Sequence, residues 1–403
     1  MEHFPPVYSD EDKMLAQAIR RFVDQEIMPV RDKIDDDVDH VLINSILNKM
    51  SALGVFGARV QDENVPPPSP YVGHIVAEEM TRGDAGIGLV LGISQWAMYA
   101  AIRAKNQEVI DLYNSMAEKK KPNLACYAMT EPASGCDVEN LPELHGRTIK
   151  TRAVQDGDYW VINGAKRFPS NAGISSIYCV VCQTDPEKGE EGIAQIYVPY
   201  DAKGLSFGKF ENKAGMQSDR NCDIYFDDVR VPLSYRADGP GKDAEYLKDN
   251  VTEGRLGSAS AAVGCARGAF GEVLRYTGER VVAGKPIREH SIAAGILADM
   301  AMGIESARAF CLQVSLMQTR PEEYGSAHSD TMLSYTSMAK NYACQVAVSV
   351  TNKAMELMGS YGYIRDYQVE KYWRDVKEIQ LWLGGVQLAQ FDIMRGYYPF
   401  KVT

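Results

Sequence analysis

Between Leu124 and Pro232 the chain breaks into short runs, TIKTRAVQ (148–155), YWVIN (159–163), SIYCVVCQ (176–183), IAQIYVPY (193–200) and IYFDDVRV (224–231), separated by Gly, Asp, Asn and Pro. β-branched and aromatic residues held between turn formers read as the strands of a small antiparallel barrel or sandwich. On either side the period changes. DKMLAQAIRRFVDQEI (12–27) and INSILNKMSALGVFG (43–57) repeat apolar residues three and four apart, and so does the long stretch from about Tyr246 to QLAQFDIMRGYY (387–398). That is the spacing of amphipathic helices. The expected fold class is α+β, with an N-terminal α-helical domain over 1–123, a middle antiparallel β-barrel domain over 124–237 and a C-terminal four-helix bundle over 238–403.

At 403 residues, 45% of them hydrophobic and 24% charged, the chain exceeds what one core usually organises. The net charge of −11 and the absence of a basic block beyond Lys119–Lys121 argue against nucleic acid as a partner. Met1–Val7 shows no basic and apolar leader pattern, and no window holds the roughly 18 uninterrupted apolar residues of a membrane span. The expectation is a cytoplasmic protein with no membrane partner. The closest cysteine pair, Cys179 and Cys182, falls in a strand pattern that sends the two thiols to opposite faces. Six dispersed histidines form no metal-binding spacing, so no metal is expected.

Glycine-rich Gly83–Gly92 is tempting as a phosphate loop, but the helical run HIVAEEMTR (74–82) precedes it, where a dinucleotide fingerprint needs a strand. Its glycines suit close approach of the backbone to a neighbour instead. Gly88 and Gly92 stand one turn apart on one helix face.

Several further segments, in order and spanning nearly the whole chain, resemble the acyl-CoA dehydrogenase family. YAMTEPASGCDV (127–138) is similar to the family loop that meets flavin and pyrophosphate. The resemblance implies FAD contacts at Tyr127, with Met129 and Thr130 facing the isoalloxazine ring and Gly135 and Cys136 on the phosphates, Cys136 replacing the usual hydroxyl residue. NGAKRFPSNAG (163–173) is similar to the next family strand: Phe168 would shield one side of the flavin, and Ser170 would set a hydroxyl near the ring nitrogen that accepts hydride. AGMQSDRNCDIYFDDVRVP (214–232) resembles the family's exit from the barrel, a structural element. EGRLGSASAAVGC and the residues after it, to Ala301, resemble the first two long C-terminal helices. There Arg280 matches the arginine that reaches a neighbouring subunit's FAD and Arg255 the arginine near CoA, while Ala283 and Ser291 replace an aromatic and a glutamine. AMELMGSYGYIRDYQVEKYWRDVKEIQLWLGGVQLAQ (354–390) resembles the C-terminal signature, with Arg374 and Asp375 in the Arg-Asp segment and Gly384 and Gln387 just after the catalytic position.

In that family a carboxylate removes the α-proton while the β-hydrogen leaves as hydride to flavin. Here the usual glutamate position is Leu383, and the alternative position before the helix arginine is Gly254. Neither accepts a proton. Glu253 is the nearest carboxylate in sequence, although one helical step turns it about 100° away; Glu378, Tyr361 and Tyr363 are weaker candidates. Three readings remain: a dehydrogenase with a relocated base, flavin-fold chemistry that needs no enzyme carboxylate (elimination, 1,4-desaturation or enoyl-CoA reduction), and a non-catalytic partner subunit.

If the helix bearing Gly88 and Gly92 lines the acyl pocket, two missing side chains widen it for a branched, cyclic or aromatic-derived acyl-CoA. No arginine replaces either glycine, though Arg82 could still reach a charged tail. The resemblance also implies an electron-transfer flavoprotein as electron acceptor and a homotetramer in which FAD bridges subunits at Arg280.

Overall fold

The computed structural model describes residues 4–62, 64–119, 122–135, 138–140 and 148–398. The chain begins with α1 (Asp10–Phe22), α2 (Arg31–Ile34), α3 (Val41–Ala52), α4 (Val72–Gly83), α5 (Ala85–Arg103) and α6 (Gln107–Ser115). Their starts are written in the sequence. Ser9 and Asp12 form a capping box on α1, and the Asp84 and Asn106 side chains cap α5 and α6 by accepting from Ile87 N and Val109 N. By length and hydropathy α5 could cross a membrane, which the count of uninterrupted apolar residues did not anticipate, yet 56% of that window is buried inside the fold. It is a core helix flanked by packed neighbours.

The middle region supplies β1 (Ala125–Ala128), β2 (Arg152–Asp156), β3 (Tyr159–Lys166), β4 (Ile177–Gln183), β5 (Ile193–Pro199), β6 (Leu205–Phe207) and β7 (Ile224–Pro232). They form one curled sheet in the order β1-β4-β2-β3-β7-β6, with β5 added to β4. The expected antiparallel barrel is thus a mixed sheet, because β1 and β2 both lie parallel to β4. β1 arrives from the helical domain and β4 is reached only after the β2–β3 hairpin has turned the chain back, so both run the same way. Along β4, Cys179 and Val181 join the core under the helices, whereas Tyr178, Val180 and Cys182 join the core inside the curl. The two thiols do point apart.

A two-stranded hairpin, β8 (Val281–Val282) and β9 (Lys285–Pro286), turned at Ala283 and Gly284 with φ of 47° and 83°, interrupts the remaining helices. These are α7 (Lys242–Glu279), which precedes the hairpin, then α8 (Ser291–Met317), α9 (Pro321–Tyr324), α10 (Asp330–Met358), α11 (Val369–Leu381) and α12 (Gly385–Arg395). The 38-residue α7 is the axis of the molecule, packing on α4, α5, α8, α10 and α11. A Cβ at Gly264 would collide with Thr81 and the Glu78 carbonyl, so the glycine lets α4 and α7 touch backbone to backbone.

The Arg-Asp segment welds these layers. Asp375 accepts from Met216 N at 2.6 Å and pairs with Lys371 at 2.9 Å. Lys371 also meets Asp84 at 3.0 Å and Asp35 at 3.1 Å, while Arg374 pairs with Asp35 at 2.8 Å. One buried cluster therefore joins α11 to the barrel exit, to the start of α5 and to the N-terminal helices.

Candidate active site

The loop after β1 is held by a buried ion pair. Lys166 Nζ, fully buried, donates to Glu131 Oε1 at 2.8 Å and to the Met129 carbonyl at 2.9 Å. Glu131 also accepts from the backbone N–H of Lys150 (2.7 Å) and Thr151 (2.9 Å). Five residues around Thr130 are thereby fixed against β3. Tyr127 and Met129 are buried and Thr130 is half-buried. Ser134 is 5% exposed, and its hydroxyl has no partner among the described residues. It neighbours Gly135, where an added Cβ would meet nothing within 4 Å. Cys136 lies outside the described residues.

Across from this loop Phe168 is 54% exposed and sits at φ 57°. A bulky residue in the left-handed region is strained, and its ring is left open to the cleft. Two residues on, Ser170 Oγ donates to Asp219 Oδ2 at 2.9 Å. Asp219 pairs with Lys213 at 3.3 Å, and Lys213 with Glu378 at 3.2 Å. Burial first, then the Asp219 charge, raises Glu378 to about 7, with Lys213 opposing. Glu378 thus belongs to the Ser170 side of the cleft.

The acyl side is built by α5, α7 and the turn before α12. Leu383, Gly384 and Gly385 all have positive φ, 51°, 82° and 63°. This turn is anchored by Trp382, whose indole donates to Ser258 Oγ at 2.7 Å and whose carbonyl accepts from buried Lys340. It aims Leu383 at α7: a Cβ on Gly254 would stand 3.0 Å from Leu383 Cδ1 and 3.4 Å from the Trp96 ring. Trp96 is fixed by its own bond to the Asn250 carbonyl (2.8 Å) and stacks 4.6 Å from Tyr127. Both positions where the family resemblance expects a base therefore share one apolar patch.

Glu253 points elsewhere on α7, as the helical step predicts. Its side chain is exposed, with Asp249, Arg103 and Tyr99 beside it. Burial first, and then the Asp249 carboxylate, raises it to about 7, against Arg103 and the Tyr99 hydroxyl. Asp249 is held by Tyr99 (3.1 Å) and His328 (2.7 Å).

Other expected residues fall outside this cleft. Arg255 is sealed, bonded to Asp392 at 2.5 Å and Ser337 at 2.7 Å with no exposed surface; the guanidinium ties α7 to α10 and α12 through Nη1, and its Nε and Nη2 find no partner among the described residues. Arg82 pairs with Asp24 at 2.6 Å on the far side of α4. Tyr363 is 80% exposed, and Tyr361 packs on Tyr276 and Tyr367. Tyr361 and Arg280 line a separate cleft of about 590 Å³ with Arg31, Arg275 and Tyr276. Gln387 is exposed beside the Gly384 turn. Gly88 and Gly92 part company: a Cβ at Gly88 would stand 2.8 Å from Thr81 Cγ2, while one at Gly92 meets open space. Gly88 is a packing glycine, and Gly92 lies open on α5.

Trp96, Tyr99, Ser134, Lys166, Lys213 and Asp219 were not among the expected site residues. The signal for Lys166 lay within NGAKRFPSNAG, three residues before a structural proline; nothing in sequence joins Asp219 to Ser170. Together an exposed aromatic ring, hydroxyls at Thr130 and Ser170, and an unpartnered hydroxyl beside Gly135 fit a flat redox ring with a phosphate tail.

Family models described as the N-terminal, middle and C-terminal domains of acyl-CoA dehydrogenase match residues 9–111, 126–229 and 244–396. The chain is 30% identical over 396 residues to cyclohexane-1-carbonyl-CoA dehydrogenase of Syntrophus aciditrophicus, covering 96% of each chain. It is 29% identical over 390 residues to the caffeyl-CoA reductase-Etf complex subunit CarC of Acetobacterium woodii, covering 96% of this chain and 98% of that one. Its backbone matches butyryl-CoA dehydrogenase from Megasphaera elsdenii with a TM-score of 0.80 at 25% identity, over 98% of this chain and 100% of that one.

Proposed function

The chain belongs to the acyl-CoA dehydrogenase family, FAD-dependent oxidoreductases acting on the CH–CH group of acyl-CoA, and we propose that it oxidises a bulky, cyclic or branched acyl-CoA with Glu253 as proton acceptor. The observation that carries this is the apolar patch where Trp96 and Leu383 meet the bare backbone of Gly254, with Gly92 one turn before Trp96 on α5 and Glu253 next to Gly254 in the chain. The naming of one relative for a cyclohexane-carbonyl substrate agrees with it.

FAD, when bound, supplies the hydride acceptor. Phe168 would cover one face of its ring, Thr130 and Ser170 would meet its edge with Ser170 at the reactive nitrogen, and Ser134 and Gly135 would receive phosphate. Trp96 and Leu383 exclude water from the acyl chain. Glu253, raised to about 7, is poised to take a proton near neutral pH. Arg280 faces an open cleft with Arg31 and Arg275, suited to a partner subunit's FAD in a homotetramer. Electrons then pass to an electron-transfer flavoprotein, in line with the relative from an Etf complex.

Anaerobic titration of the purified yellow protein tests the reading. Bleaching of FAD by cyclohexane-carbonyl-CoA, with little by short straight-chain esters, is expected; the reverse preference refutes it. The apolar patch at Leu383 and Gly254 favours a second reading, chemistry without α-deprotonation by a carboxylate. Product formation with no bleaching by any saturated ester would select it.

A further inference from the structure

The Ser170 hydroxyl carries one proton, and its neighbours decide where that proton points. Its oxygen lies 2.9 Å from Asp219 Oδ2, and a carboxylate accepts but does not donate, so Ser170 is the donor. The same carboxylate oxygen takes Lys213 Nζ at 3.3 Å. Burial pulls Lys213 down, but the Asp219 and Glu378 carboxylates outweigh it and raise it, so a cation stands beside the acceptor. Asp219 is 1% exposed; water does not compete for it. From the other side Asn221 Nδ2 approaches Ser170 Oγ at 3.4 Å as a donor. What Ser170 has left for the cleft is a lone pair.

We infer that Ser170 acts on bound FAD only as a hydrogen-bond acceptor, with Asp219 as the positioning residue that orients it, so that the site prefers the reduced ring, whose reactive nitrogen bears a hydrogen, over the oxidised ring, whose nitrogen is bare. This rests on the reading above that sets that nitrogen at Ser170. It gives the Asp219–Lys213 pair a purpose beyond packing: a hydroxyl free to turn would satisfy either redox state, whereas a locked one discriminates.

The midpoint potential of FAD bound to the full chain reads this preference directly. Ser170→Ala should lower the potential, the reduced-over-oxidised binding ratio falling about five- to tenfold, the worth of one hydrogen bond. Were Ser170 a donor to the oxidised nitrogen, the same substitution would raise it. In an Asp219→Asn background the hydroxyl can rotate, and Ser170→Ala should then have a smaller or opposite effect; subtraction within each background cancels the change of charge at 219. An unchanged or raised potential in Ser170→Ala, or an equal drop in both backgrounds, overturns the inference. If Asp219→Asn does not fold, Ser170→Thr replaces it as the control: it keeps the hydroxyl and must keep the wild-type potential, and failure to do so likewise overturns the inference. A wild-type protein that binds no flavin would instead bring down the proposed function.

Discussion

Leu383 closes onto the bare backbone of Gly254, its Cδ1 3.0 Å from where a Cβ on Gly254 would be. Two positions more than a hundred residues apart thus meet, both apolar, each one where the family resemblance leads one to expect a carboxylate. The left-handed turn at Leu383, pinned through Trp382 to Ser258 and Lys340, is the device that aims one at the other.

Installing a carboxylate on that turn is the sharpest test of the empty base position. Leu383→Glu should speed anaerobic reduction of FAD by saturated acyl-CoA by about tenfold or more, a modest share of what a well-placed base supplies. Stopped-flow absorbance measures it. A rate equal to wild type would mean that the turn does not reach the α-carbon.

Glu253→Gln should lower kcat/KM about 100-fold or more. In the wild type kcat/KM should climb with pH through about 7 and then level, because the base works deprotonated and its pKa is raised. The sign of the stability effect follows from the same shift: a carboxyl raised in the folded state favours the fold while neutral, and that advantage is lost as pH rises through about 7. The melting temperature of Glu253→Gln should therefore exceed that of wild type at pH 8 and fall back towards it at pH 4. Retained turnover, or a flat pH profile, would remove Glu253 from the mechanism.

The two glycines of α5 should respond oppositely. Gly92→Val fills open space, so it should lower activity on cyclic esters several-fold more than on short straight ones, with little change in melting temperature. Gly88→Val meets Thr81 and should destabilise by about 1–3 kcal/mol through overpacking without altering the ratio of substrates. Specific activities with two esters and a thermal melt separate the two cases.

Arg255 and Asp392 should behave as a buried pair. Arg255→Met or Asp392→Leu alone leaves a charge enclosed and should cost about 3–5 kcal/mol, whereas the double change should be much milder. Urea unfolding of the three variants gives the coupling. If instead Arg255→Met leaves stability intact and weakens CoA-ester binding, the guanidinium serves the ligand after all.

Much of this architecture was legible because it follows from local chemistry. Alternation in SIYCVVCQ put Cys179 and Cys182 on two faces, and the three-and-four spacing of 12–27 and 43–57 marked helical segments, whereas the loop at 127–138 was picked out by its resemblance to the family's. Of the candidate site, Thr130, Phe168, Ser170, Gly254 and Leu383 were all named from the family resemblance, and the structure sets Leu383 against Gly254. Nothing in EGRLGSAS reveals the pairing of Arg255 with Asp392, 137 residues later. The mixed sheet escaped notice for a similar reason, since strand direction depends on how segments connect in space rather than on their own pattern.

By itself, then, the sequence determined helix and strand and the order of the three regions, since each depends on residues within a few positions of one another. Only the tertiary structure decided that Gly88 packs while Gly92 stands open, that Leu383 covers Gly254, and that Ser170 donates to Asp219. Those are contacts between distant segments, and their geometry exists only once α5, α7, the curled sheet and the turn before α12 have closed on a common core.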